Sequence, residues 1–218
     1  MRAMMRLALL IAMLAPASAL AHPHIFIDTR LEVILNDRNE ATALRIFWTY
    51  DDLYALLIFG DLALDPDGDG VLTAEEEGRL SGFDMKWIEG FEGDTFVLAD
   101  GEAVPISGPR DWTAAWQDGK LSSTHYRDLL TPLAVDDVPL VIQAYDPGYY
   151  VAHVILPPAV VTGGKGCTAT VYEADLDAAD AALQEALLEF APGADVEGQF
   201  PAVGAKFSDE VRVTCDAP

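Results

Sequence analysis

From Ile25 to Leu35 one row of side chains reads Ile25, Ile27, Thr29, Leu31, Val33, Leu35, while the other carries Asp28, Arg30 and Glu32. Successive side chains of an extended chain point to opposite faces, so this alternation predicts a strand with one dry face and one wet one. The chain supplies a partner at once. Asn36-Asp37-Arg38-Asn39 has turn chemistry, and the apolar-rich run Ala41 to Tyr50 returns as a second strand, giving a hairpin. Within it Trp48 and Tyr50 read as core.

Asp51 and Asp52 then predict a helix start, because a short carboxylate accepts from the free amides of a first turn; the helix spans Leu53–Leu64. Beyond an acidic loop at 65–76 a second helix is expected to reach about Glu89. Residues 94–98 and 103–106 flank Ala99-Asp100-Gly101-Glu102 as a further hairpin. The stretch 108–135 shows no readable period and is left unassigned. Val138–Tyr145 and Tyr150–Leu156 read as strands on either side of the turn Asp146-Pro147-Gly148. Cys167, Ala169 and Val171 alternate with polar residues, as do Phe207, Val211, Val213 and Cys215, so both read as strands. Between them Leu176, Ala179, Leu183, Leu187 and Phe190 recur at helical spacing. The expected fold is mainly β: an antiparallel, sandwich-like α+β domain, with an EF-hand-like helix-loop-helix insertion at 52–90 and a further helix at 175–190.

With 51% hydrophobic residues the chain has material for a core, which excludes disorder as its main state. Thirteen Lys and Arg stand against 36 Asp and Glu, a formal charge of −23, which excludes a nucleic-acid partner for want of a basic footprint. Arg2 and Arg6 precede the apolar run Leu7–Leu14, followed by Pro16 and the small-residue end Ala17-Ser18-Ala19-Leu20-Ala21. This pattern predicts a signal peptide over 1–21, cut after Ala21 in preference to Ala19, and a single exported mature domain over 22–218. No segment is long and apolar enough to span a bilayer. In an oxidising compartment Cys167 and Cys215 are expected to pair, and isolated cysteines lack the spacing of a zinc or redox site.

The loop Asp65-Pro66-Asp67-Gly68-Asp69-Gly70-Val71-Leu72-Thr73-Ala74-Glu75-Glu76 matches the EF-hand pattern at each diagnostic position. Asp65, Asp67 and Asp69 offer carboxylates at positions one, three and five, and Gly70 makes the turn at six. Val71 offers its carbonyl at seven, Thr73 acts at nine directly or through water, and Glu76 closes at twelve. Calcium takes six to eight oxygens at about 2.3–2.6 Å, and a tight loop is what brings several carboxylates together against their repulsion. Leu72 is expected to face inward, and no second loop of this kind occurs in the chain.

After removal of the leader the chain would begin His22-Pro23-His24. The free amine of His22 and its own imidazole then form a chelate, a histidine brace once a further imidazole joins, which suits copper, zinc or nickel. Pro23 lacks an amide proton, so the site must be built from side chains, and in an extended chain His22 and His24 share a face with Asp28. His125 and His153 each read as structural, with the capacity to add a ligand. No nucleophile elbow, phosphate loop or dinucleotide fingerprint is present.

Four segments, His22-Pro23-His24-Ile25-Phe26-Ile27, Phe47-Trp48-Thr49-Tyr50-Asp51-Asp52, the loop 65–76 and Tyr145-Asp146-Pro147-Gly148-Tyr149-Tyr150, together resemble the exported bacterial family filed as domain of unknown function 1007. Tyr50-Asp51-Asp52 stands where that family's pattern has Phe-Asp-Glu, and by motif the resemblance covers roughly 22–156. The family is described as an uncharacterised periplasmic component of an ABC-type transport system, and members are often encoded near nickel/cobalt-type transporters. The resemblance therefore implies metal handling beside a membrane metal transporter. The leading expectation is a non-enzymatic metal-binding accessory. Two alternatives are a copper-dependent oxidase or mono-oxygenase built on the terminal brace, and a calcium-stabilised adaptor with no transition metal.

Overall fold

The computed structural model describes residues 23–135, 138–191 and 200–216; the leader 1–21 and His22 lie outside the described residues. The predicted first hairpin is present as β1 (Ile25–Leu35) and β2 (Glu40–Tyr50), antiparallel from Ile27 opposite Tyr50 to Leu35 opposite Ala41. The row from Ile27 to Leu35 that the alternation marks as dry is the buried one.

Helix α1 spans Asp52–Leu62 and α2 spans Ala74–Leu80. Asp51 holds the start of α1 in two ways. Its Oδ1 accepts from the Tyr54 amide at 2.9 Å, and its Oδ2 accepts from the Phe26 amide at 2.7 Å, fastening the helix to β1. The second helix stops at Leu80 and does not reach Glu89: Ser81 leaves helical geometry, Gly82 takes a φ of +68°, and the chain continues to residue 94 as turns and loop. The insertion packs back on the core through Ala55, Leu64, Leu80 and Met85, while Leu53, Leu56 and Leu57 of α1 stay exposed.

The hairpin expected at 94–106 is β3 (Thr95–Ala99) with the short β4 (Glu102–Ala103). The unassigned stretch is a long hairpin, β5 (Arg110–Gln117) and β6 (Lys120–Ala134). Strands β7 (Leu140–Ala144) and β8 (Val151–Ile155) flank Asp146-Pro147-Gly148 but do not pair with each other, because the turn passes the chain from one sheet to the other. After β9 (Val160–Thr162), β10 (Cys167–Tyr172) and β11 (Glu210–Cys215) pair directly, flanking α3 (Leu176–Leu187) in sequence and joined by the Cys167–Cys215 disulfide.

One sheet runs β5-β6-β2-β1-β8 with β9 also on β1; the other runs β10-β11-β7-β3-β4. The second is wholly antiparallel. The first is mixed, since β8 and β9 lie parallel to β1, which refines the expected antiparallel pattern. Both sheets feed one core, with Leu31, Leu44, Ile46 and Leu121 from the first and Val97, Ile142, Val211 and Val213 from the second. Among the described residues no helix is long and apolar enough to cross a bilayer.

Candidate metal centres

The acidic loop lies between α1 and α2, and its backbone is shaped by its own carboxylates. Asp65 is in the left-handed region at φ +49°; its Oδ1 accepts from the Asp69 amide at 3.0 Å and its Oδ2 from the Gly70 amide at 3.1 Å. Asp69 in turn accepts from the Val71 amide at 2.8 Å. Gly70, at φ +79°, takes the sharp bend that its position in the loop demands. This coiling leaves one carboxylate oxygen each of Asp65, Asp67 and Asp69 within 4.8 Å of one another, with Asp67 and Asp69 exposed. Three like charges at that spacing repel, and a hard cation seated among them reverses the sign of the interaction.

Glu76 is placed differently from these three. It is buried, and its Oε1 accepts from the Asp65 amide at 2.9 Å, tying the last residue of the loop to the first. Its Oε2 accepts from the Thr73 amide at 2.7 Å and the Thr73 hydroxyl at 2.6 Å, and Thr73 caps α2 in return. These hydrogen bonds, from the Thr73 hydroxyl first, hold the Glu76 carboxyl below its ordinary range. Glu76 and Thr73 thus close the loop in a capping box, and the carboxylates that come together are those of the aspartate triad. The Val71 side chain is exposed, Leu72 is half-buried against the core, and the Trp116 indole donates to the Gly70 carbonyl at 3.2 Å, fastening the loop to β5.

Of the terminal pair, His22 lies outside the described residues. His24 is exposed at the start of β1; its amide donates to the Tyr150 carbonyl at 2.9 Å and its ring centroid lies 4.6 Å from that of Tyr150. Among the described residues the three loop aspartates are the group of potential ligands that comes together, and no such group forms around His24.

The two internal histidines lie on the inner face of the first sheet. His153 is buried, with Nδ1 3.1 Å from the Thr29 hydroxyl and Nε2 3.3 Å from Asp94 Oδ2. His125 is fully buried, edge-on to Trp48 at 4.7 Å and to Trp87 at 5.9 Å, and neither ring nitrogen has a hydrogen-bond partner among the described residues. Burial first, and Arg127 beside it second, push this imidazole down to about 3, so it is neutral at physiological pH. Two carboxylates missed at the sequence level meet this wall: Asp94, and Asp84, which accepts from the Tyr50 and Ser123 hydroxyls. Nothing in the local sequence marks them, since both come from the loop that the second helix was expected to occupy or border.

The fold and the loop together define a class: a two-sheet β protein with a helix-loop-helix insertion whose aspartate triad could hold a metal ion. Residues 7–215 match the family described as a protein of unknown function, DUF1007, and the chain belongs to that family. The match carries the likeness through the C-terminal third, beyond the roughly 22–156 covered by the motifs. No curated protein matches the chain.

Proposed function

We propose that this is an exported, non-enzymatic metal-binding protein of the periplasm, holding calcium at Asp65, Asp67 and Asp69 with Val71, Thr73 and Glu76 completing the shell. The observation that carries this reading is the convergence of the three carboxylates within 4.8 Å in a loop of EF-hand spacing between two helices. All donors are hard oxygens, which suits calcium and disfavours softer metals. Extracellular loops of this type bind at roughly 10⁻⁴ to 10⁻³ M, so the ion is structural. At ~10 mM calcium the native state then gains about 1.4–2.7 kcal/mol. The measurement is the thermal midpoint in chelator against millimolar calcium, with Asp67→Ala as control: the midpoint rises in the parent and stays put in the variant. A midpoint unmoved by calcium in the parent overturns the reading.

His22 and His24 are the proposed second site, for copper, zinc or nickel, presented to a membrane metal transporter. The support is that His24 is exposed on the face of β1 shared with Asp28, and the cysteine pair fits an oxidising compartment. Titration of the exported protein with the three metals, alongside a His22→Ala/His24→Ala variant, tests this; unchanged stoichiometry and affinity remove the site and leave the adaptor reading. Substrate-dependent oxygen or peroxide turnover by the copper-loaded protein favours the oxidase instead.

A further inference from the structure

Between the inner face of the first sheet and the segment 83–91 lies a cavity of about 380 Å³, within the size range of small-molecule sites. Its floor is Trp48 and Tyr50 of β2 and His153 of β8, and its roof includes Phe83, Trp87 and Phe91. Carboxylates line it as well: Asp84 and Asp94, with Asp146 at the edge. Asp146 is used up by the amides of Gly148, Tyr150 and Val151, but Asp84 is not. Its Oδ1 is buried without a partner among the described residues, and so is the indole nitrogen of Trp48, itself 4% exposed, on the same wall. Burial holds the carboxyls of Asp84 and Asp94 above their ordinary range, and while Asp94 has His153 as a partner at 3.3 Å, Asp84 forms no ion pair among the described residues.

The neighbouring cations do not pair with Asp84. Arg127 spends its donors on the carbonyls of Glu92, Thr95 and Ser107, and Lys86 at the mouth is exposed and forms no ion pair among the described residues. An inorganic ion does not fit either, since the described residues bring three ligand atoms together at the 65–69 triad and not here. Anions are opposed by the acids. What remains is a cation with an apolar body, which aromatic faces and a buried carboxylate field attract together.

We propose that this cavity is a binding site for a small organic ammonium ion, its charge facing Asp84 and Asp94 and its body against Trp48, Trp87 and Phe91. The site is separate from the calcium loop and does not depend on that assignment.

Isothermal titration of the full chain in millimolar calcium, with phenethylammonium and its neutral isostere 2-phenylethanol, tests this directly. The ammonium ion is expected to bind saturably and at least about tenfold more tightly than the alcohol, the factor a charged interaction in a partly dry site provides. Asp84→Asn is expected to lower the affinity about tenfold, and Phe91→Ala, on the more exposed part of the roof, severalfold with the melting curve retained. Absence of saturable binding overturns the proposal. So does equal affinity for the two probes, which reports a greasy pocket indifferent to charge; that comparison needs no variant to fold.

Discussion

His125 shows how a single residue can couple this fold to pH. In an unfolded chain its imidazole titrates near 6.5, whereas in the folded chain burial pushes it down to about 3. Between those values the unfolded state binds a proton that the native state refuses. Stability is therefore intact above about pH 6.5 and falls as the pH drops towards 3, by at most about 1.4 kcal/mol per unit. Asp84 and Asp94 act in the opposite sense, since their raised native values make the folded state take up protons first on acidification. Comparing the parent with His125→Leu separates the contributions, because the two aspartates are common to both. The variant is expected to show a shallower loss of stability between about pH 6.5 and 3 in urea titrations; parallel curves would mean that the imidazole is charged or hydrated in the native state. The histidine itself was visible in the sequence, but its isolation was not, because that depends on Trp48 and Trp87 closing over it from distant positions.

At the scale of elements, what was legible followed the chemistry of the buried row. β1 buries apolar residues, with Thr29 the sole polar member, so hydrophobic alternation marks it plainly. β6 alternates just as regularly in burial, but its inward row includes Ser123, His125 and Arg127. Its period is real and its polarity is wrong, which is why 108–135 resisted assignment. β5 fails for a second reason, as an edge strand with half or more of its side chains exposed. The turn at 146–148 was legible while its consequence was not, since β8 pairs with β1, more than a hundred residues away. The acidic loop lay at the other extreme: its residues are contiguous, and spacing alone names the three aspartates that come together. The second helix ends short of its expected extension to Glu89 because Ser81 leaves helical geometry and Gly82 takes a φ of +68°. The roof that replaces it depends on another glycine. Gly93 has a φ of +67°, and a Cβ there would lie 2.2 Å from the Trp87 ring. Gly93→Ala therefore forces either backbone strain or displacement of Trp87, and is expected to cost about 1–3 kcal/mol in chemical denaturation. A change in indole fluorescence should accompany it, and a variant as stable as the parent would show that the roof is loosely packed.

For the molecule as a whole, the question is how the disulfide and the proposed calcium site share the load. The disulfide closes a 48-residue separation and ties edge strand β10 to β11, at the side of the second sheet away from β3 and β4. The acidic loop hangs from α1 and α2 and is fastened to β5, an edge of the first sheet. Chain entropy gives the bridge roughly 4 kcal/mol, less whatever pairing the reduced chain keeps, and β10 is also held to β11 by an antiparallel ladder from Cys167 opposite Cys215 to Tyr172 opposite Glu210. Because the two devices share no residue and no hydrogen bond, their contributions should add. The Cys167→Ala/Cys215→Ala variant is expected to unfold at lower denaturant than the parent, by up to that amount. The stabilisation brought by calcium, measured on each protein in turn, should nevertheless be the same within a few tenths of a kcal/mol. If removing the bridge instead enlarges or abolishes the calcium increment, the sheets do not unfold as one cooperative unit, and the loop and the C-terminal strands answer to separate transitions.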